Sequence, residues 1–218
     1  MELKICGATR LDEIEILNHC QVSYVGLWSG IENHPRSLPD ARLCQLAAAC
    51  RGPKPVVVCV RPSWPAPGEM MQRCGVKWVQ LHGFTSPTDV ARLRQQGLSI
   101  IKTLHVNDAG ECPELRWLTA YDDAGVDIYL IDRFVDKRQI GSTGQALPVR
   151  VVENMVEQLA GRRLWLAGGI HAASIGSLAQ MAGIEALDID SAARKDGYIG
   201  TPLYGLVKSL RAGEEADV

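Results

Sequence analysis

KICGATR (residues 4–10) closes the first short apolar run of the chain, LKIC (3–6), and carries a single glycine. An open, doubly wound α/β sheet places a glycine fingerprint after its first strand, so this stretch argues for a different closure of the sheet. Working outward, further β-branched runs follow: SYVGLW (23–28), PVVVCV (55–60), VKWVQLH (76–82), LSIIKTL (98–104), VDIYLID (126–132), RLWLAGG (163–169) and IEALDID (184–190). Between them lie segments with apolar residues at i, i+3, i+4, such as PTDVARLRQQG (87–97) and VRVVENMVEQLAG (149–161). The first of these has Ser86 as N-cap, Pro87 at the first helical position and Gly97 at its end. Strands separated by helices run parallel, each joined to the next by a crossover. Eight such units in 218 residues predict an α/β fold, a (β/α)8 TIM barrel with a parallel eight-stranded barrel and outer helices.

The totals agree. A hydrophobic fraction of 46% and a charged fraction of 22% are ordinary for a soluble globular chain. No linker divides it, since the proline-rich PSWPAP (62–67) falls in one strand–helix loop; residues 1–218 read as one domain with a frayed tail, GEEADV (213–218). A net charge of −2 without a basic run speaks against nucleic acid and anionic membrane as partners. The start lacks the n- and h-regions of a signal peptide, and no long apolar stretch spans a bilayer, so the expected location is cytoplasmic. Seven cysteines, an odd count with no C-x-x-C pair, argue against a disulfide framework and a thiolate zinc site. Six of them read as small buried hydrophobes. The histidines His19, His34, His105 and His171 show no ligand spacing, so no metal is expected.

In such a barrel, chemistry gathers at the carboxyl ends of the strands. Those ends offer Cys6, Arg36 in the second loop, Arg61, Gln80 and His82, Lys102, Asp132, the pair Gly168-Gly169, and Asp188 with Asp190. Side chains alternate along a strand with period two. Lys4 therefore shares the face of Cys6, and Asp188 that of Asp190. The first and last strands of a closed barrel are neighbours, which predicts a buried Lys4–Asp188 pair beneath the site. Trp28, Trp64, Trp78, Trp117 and Trp165 read as core, with ring stacking open for Trp28 and Trp64. His82 serves either in catalysis or in bonding a loop backbone.

KICG (4–7), HPRS (34–37), VQLHG (79–83), LID (130–132), GSTG (141–144), LAGGI (166–170) and LDIDS (187–191), in this order, resemble the phosphoribosylanthranilate isomerase family along nearly the whole chain. The resemblance implies an Amadori rearrangement of an aminoaldose to an aminoketose without a cofactor. It implies Cys6 as the base, Asp132 as the acid and Arg36 as the anchoring cation. Gln80 and His82 would line the substrate site, and Gly141, Ser142, Thr143 and Gly144 would form a mobile loop hinged on its glycines. Gly168 and Gly169 would form half of a phosphate cradle. The partner implied is a small glycosylamine, phosphorylated or not, bound by a monomer or homodimer. A base thiol near ~8.5 needs a modest downward push, and Arg36 is the cation expected to give it. Burial is expected to raise the Asp132 pKa.

The chain also departs from the family. Asp190-Ser191-Ala192-Ala193-Arg194 stands where the family has serine-serine-glycine and later a glutamate. Leu147-Pro148-Val149 and Phe84-Thr85 replace other family residues, as does the region around Ser174. A carboxylate ~4 Å from a phosphate charge costs ~4 kcal/mol at an effective dielectric of ~20. Arg194 either offsets Asp190 or binds the anion, or else the pocket takes a neutral or cationic group. Three alternatives stay open: a paralogous isomerase acting on a non-phosphorylated or differently substituted substrate, a Schiff-base lyase using Lys102 on an inward face with Ile100, and a non-catalytic barrel.

Overall fold

In the computed structural model, which describes residues 1–31, 34–60, 66–134 and 145–215, eight parallel strands close into a barrel in chain order. They are β1 (Glu2–Cys6), β2 (Tyr24–Trp28), β3 (Lys54–Cys59), β4 (Trp78–Leu81), β5 (Ser99–Val106), β6 (Ile128–Arg133), β7 (Leu164–Ala167) and β8 (Ala186–Ile189). The helices around them are α1 (Leu11–Cys20), α2 (Asp40–Ala49), α3 (Ala66–Arg73), α4 (Pro87–Gln95), α5 (Leu118–Ala124), α6 (Val149–Gln158), α7 (Ile175–Ala179) and α8 (Pro202–Glu215). A 3-10 turn, Pro113–Trp117, leads into α5, and a second, Ser191–Ala193, follows β8. The two-residue strands β9 (Arg194–Lys195) and β10 (Tyr198–Ile199) pair as a hairpin before α8. The family-like loop 141–144 lies outside the described residues.

Local chemistry sets the helix ends. Ser86 caps α4 by accepting from the Asp89 N–H at 3.2 Å, with Pro87 in the first turn. At α1 the buried Glu13 carboxylate accepts from the backbone N–H of Thr9 and Arg10 at 2.7 and 2.9 Å. It also accepts from the N–H of Ile199 in β10 at 2.6 Å, so one carboxylate ties the start of α1 to the hairpin.

The core has two layers. The larger lies between strands and helices; the smaller fills the barrel and joins Tyr24, Val56, Ile101, Ile128, Leu130, Trp165, Ala167 and Ala186. Trp165 is fully buried there, its ring 4.7 Å from that of Tyr24. No described helix is long and apolar enough to cross a membrane.

Three expectations need correcting. Residues 213–215, expected in a frayed tail, belong to α8, which runs through Glu215, and 216–218 lie outside the described residues. Gly213 lets α8 pack closely on α7, since a Cβ there would come 2.8 Å from Gly176 Cα. Second, Cys44 of α2 and Cys74, just past α3, form a disulfide spanning 30 residues of sequence. Which helices lie side by side is not written in cysteine spacing. Third, Lys102 does not share an inward face with Ile100. On β5 it is Ile101 that joins the inner layer, whereas Ile100 and Leu104 join the outer one. Lys102 follows the outer parity: its ammonium donates to the carbonyls of Gly83, at 3.1 Å, and Thr103, and lies 3.7 Å from Glu114. Parallel strands are buried on both faces, so the run LSIIKTL alone does not tell inside from outside. The Schiff-base reading loses its geometry.

Candidate active site

The inner wall toward the carboxyl ends of the strands carries polar groups instead of the apolar filling below. Cys6 ends β1 and is buried, as are Lys4, Gln80, Asp132 and Asp188. Lys4 and Asp188 stand in register across the β1–β8 seam, and the ammonium donates to Asp188 Oδ2 at 2.7 Å, as the strand parity predicted. Burial alone would lower the Lys4 pKa, but Asp188 and Cys6 outweigh it and the ammonium is held charged. Gly26, across from Cys6 on β2, leaves room for both groups. A Cβ there would come 2.7 Å from Cys6 Sγ and 3.3 Å from Lys4 Nζ.

The electrostatics of Cys6 differ from the expectation. Burial pushes its thiol up to about 11, against the opposing pull of Lys4 and of a hydrogen bond from Trp28. Arg36 is not the cation beside the sulfur. Its guanidinium bonds Asp190 and lies 4.6 Å over the Trp28 ring. The nearer cation is Lys4, two residues earlier on the same face of β1. Trp28, which sequence reasoning read as core with ring stacking left open, touches the sulfur instead: its indole N–H donates to Cys6 Sγ at 2.9 Å. The signal was weak, because it required the β1–β2 register, which no motif encodes.

Asp132 sits across the barrel on β6. Burial raises its pKa to about 7, with the nearby Asp188 charge adding to the shift. His82 Nε2 lies 3.7 Å from Asp132 Oδ2. Burial, then the proximity of His105, Lys4 and Lys102, lowers the His82 pKa to about 3, so the imidazole is neutral at working pH. Its Nδ1 lies 3.4 Å from Gln80 Nε2. Beneath them, Gln80 Oε1 and Asp188 Oδ1 are buried with no hydrogen-bond partner among the described residues.

The segment after β8 resolves the charge problem that Asp190 poses. Arg36 and Arg194 both donate to Asp190 Oδ1, the latter at 2.8 Å. Burial would raise the Asp190 pKa, but these two hydrogen bonds and charges win and the carboxyl is lowered. The carboxylate is therefore compensated, and the full repulsion of a lone charge does not apply. Arg194 also donates to the carbonyls of Cys6 and Gly7, at 2.7 and 2.8 Å, and of Gly197, at 3.1 Å, which anchors the end of β1. Ser191 is exposed in its 3-10 turn. Gly168 and Gly169 both have positive φ, 89° and 58°. A Cβ on Gly168 would stand 3.3 Å from Asp132 Oδ1, and one on Gly169 would strike Ala146 N at 2.1 Å. The glycines thus let this loop pass close to both the acid and the backbone after β6.

Cys6, Lys4, Asp188, Asp132, His82 and Gln80 form one wall, with Trp28, Arg36, Asp190 and Arg194 along its rim. Such an arrangement offers a carboxyl proton donor near neutrality and a sulfur at the same end of the barrel. Comparison with known proteins points the same way. The family model for N-(5'-phosphoribosyl)anthranilate (PRA) isomerase matches residues 3–199. The N-(5'-phosphoribosyl)anthranilate isomerase of Brevibacillus brevis is 29% identical over 217 residues, covering 98% of this chain and 95% of that one. That of Synechococcus sp. strain JA-2-3B'a(2-13) is 31% identical over 173 residues, with 78% and 72% covered. Among solved structures, the phosphoribosyl anthranilate isomerase of Thermus thermophilus superposes with a TM-score of 0.77 at 22% identity, each chain covered in full (100%). With a match spanning all eight strands and most of the rim, this chain belongs to the N-(5'-phosphoribosyl)anthranilate isomerase family.

Proposed function

We propose that the chain isomerises N-(5'-phosphoribosyl)anthranilate, with Asp132 as general acid and Cys6 as general base. Asp132 gives its proton to the furanose ring oxygen, the C1'–O bond breaks, and the anthranilate nitrogen forms a protonated Schiff base. Cys6 thiolate then takes the proton from C2'. The C–H electron pair becomes the C1'–C2' double bond, and the C=N pair returns to nitrogen as its lone pair. The resulting enolamine tautomerises to the aminoketose. One proton leaves the chain and one enters it, so no external oxidant or reductant is needed.

The observation that carries this reading is the shared wiring of the two groups. Burial raises both the thiol and the acid, Asp188 adds to each shift and Lys4 opposes it, and Lys4 and Asp188 are bonded to each other at 2.7 Å. A thiol near 11 holds little thiolate at rest, and the cationic Schiff base stabilises that minority form. A cation ~5 Å away at an effective dielectric of ~20 contributes ~3 kcal/mol, roughly two pKa units. Arg36 anchors an acidic group of the substrate at the rim, exchanging its bond to Asp190 for one to the ligand. Gly168 and Gly169 present backbone to the phosphate.

The test is turnover of N-(5'-phosphoribosyl)anthranilate, followed by loss of anthranilate-ring fluorescence, together with rescue of a tryptophan auxotroph lacking this isomerase. Wild type is expected to do both and Cys6→Ala neither. Absence of turnover by the folded wild type would overturn the reading.

A further inference from the structure

The base in the proposed mechanism has one hydrogen-bond donor whose role the family resemblance does not assign. Trp28 ends β2, and its indole N–H points at Cys6 Sγ from 2.9 Å. Two features show that the contact is built into the site. Gly26, two residues earlier on the same face of β2, leaves the space that the sulfur occupies. On its π face the same indole carries the Arg36 guanidinium at 4.6 Å, and the His34 ring lies 4.5 Å away. A cation over the ring draws electron density from it and makes the N–H a stronger donor. A neutral thiol accepts such a bond weakly, whereas a thiolate accepts it as a charge-assisted bond of roughly twice the strength.

We propose that Trp28 is a catalytic residue of this enzyme: its indole N–H holds the Cys6 sulfur as thiolate while that sulfur receives the C2' proton. The inference rests on the reading of Cys6 as the base. The donor favours the anion over the thiol, so it lowers the free energy of the form that does the work. It sits on the rim side of the sulfur, opposite Lys4 below, so the thiolate is held from two directions. Arg36 thereby acts on the base indirectly, through the ring it covers, while its own charge stays with Asp190.

The experiment compares wild type with Trp28→Phe and with a variant carrying β-(3-benzothienyl)alanine at position 28. The second exchanges only the N–H for sulfur and keeps the ring that packs under Arg36. Modification of Cys6 by methyl methanethiosulfonate, read by mass spectrometry from pH 8 to 11, reports thiolate without requiring substrate. Both variants are expected to react about tenfold more slowly at pH 8, with the gap narrowing to about fivefold by pH 11, as a midpoint about one unit higher requires. Their kcat/KM should fall by a similar factor at pH 7, with KM little changed. Equal modification rates in folded wild type and benzothienyl variant would overturn the proposal even if turnover by wild type upholds Cys6 as base. If wild type shows no turnover, the functional reading falls, and a tenfold slower modification still assigns the N–H its hold on the sulfur.

Discussion

At the scale of the residue, the acid and the base carry their pKa values in reversed order, about 7 for Asp132 and about 11 for Cys6. The working combination, protonated carboxyl with thiolate, is then a minority form, on the order of one molecule in 10⁴ of the free enzyme. Its population rises with pH to about 7 and stays level until the thiol titrates. We therefore expect kcat/KM to climb up to about pH 7 and then to plateau. Asp132→Asn should lower it by ~10²–10⁴ and abolish the break near neutrality, leaving a rate that keeps rising with thiolate. A break that persists in the variant would assign that titration to another group. The same shift affects stability. The Asp132 pKa goes from 3.8, its ordinary value, to about 7 in the folded chain, so the folded state binds more protons in between. Stability is full below the ordinary value and declines as pH rises through 7. Asp132→Asn should match wild type in urea at pH 4 and exceed it at pH 8. Gly26→Ala tests the space around the sulfur: a Cβ 2.7 Å from Cys6 Sγ must displace it. A drop of ~10²-fold in kcat/KM with a loss of ~1–3 kcal/mol in stability is expected, measured by turnover and urea unfolding.

At the scale of the element, the Cys44–Cys74 bridge joins α2 to the end of α3 across 30 residues that include β3. Closing a loop of that length constrains the unfolded chain by ~3–4 kcal/mol in the chain-entropy model. Cys44→Ala, or reduction with dithiothreitol, should lower the urea midpoint accordingly while leaving kcat within about twofold, since neither cysteine lines the site. Unchanged stability on reduction would mean that the link does not hold these helices. Sequence legibility divides at this same scale. Ser86, Pro87 and Gly97 announce α4, because caps and breakers act within a few residues. The β-branched runs announce the eight strands for the same reason. Helix adjacency, the side of β5 on which Lys102 lies and the Trp28–Cys6 bond all depend on partners distant in sequence. Cys6 and Asp132 were legible as strand tips, but the pKa of the thiol was not. Its direction depends on how much burial outweighs Lys4, and no motif carries that balance.

At the scale of the whole molecule, the barrel closes where β1 meets β8, and the polar lock of that seam is Lys4 with Asp188. Breaking one half of a buried pair leaves an uncompensated charge. Lys4→Met should therefore cost ~3–5 kcal/mol, measured by urea unfolding, and should raise the Cys6 thiol further. Lys4→Met with Asp188→Leu should recover much of the stability without recovering turnover. Recovery of both would show the pair to be a fastener with no part in proton transfer. The lock also has a consequence in time. Its two halves are 184 positions apart, so during synthesis on a ribosome Lys4 emerges first and stays hydrated while nearly all the remaining staves are made. Sealing is a terminal, chain-release event. Stalling translation before position 188 should yield a nascent chain whose thiols at positions 6 and 59 are open to labelling, and a rearranged gene that begins at β2 would let the same lock form between neighbours in sequence.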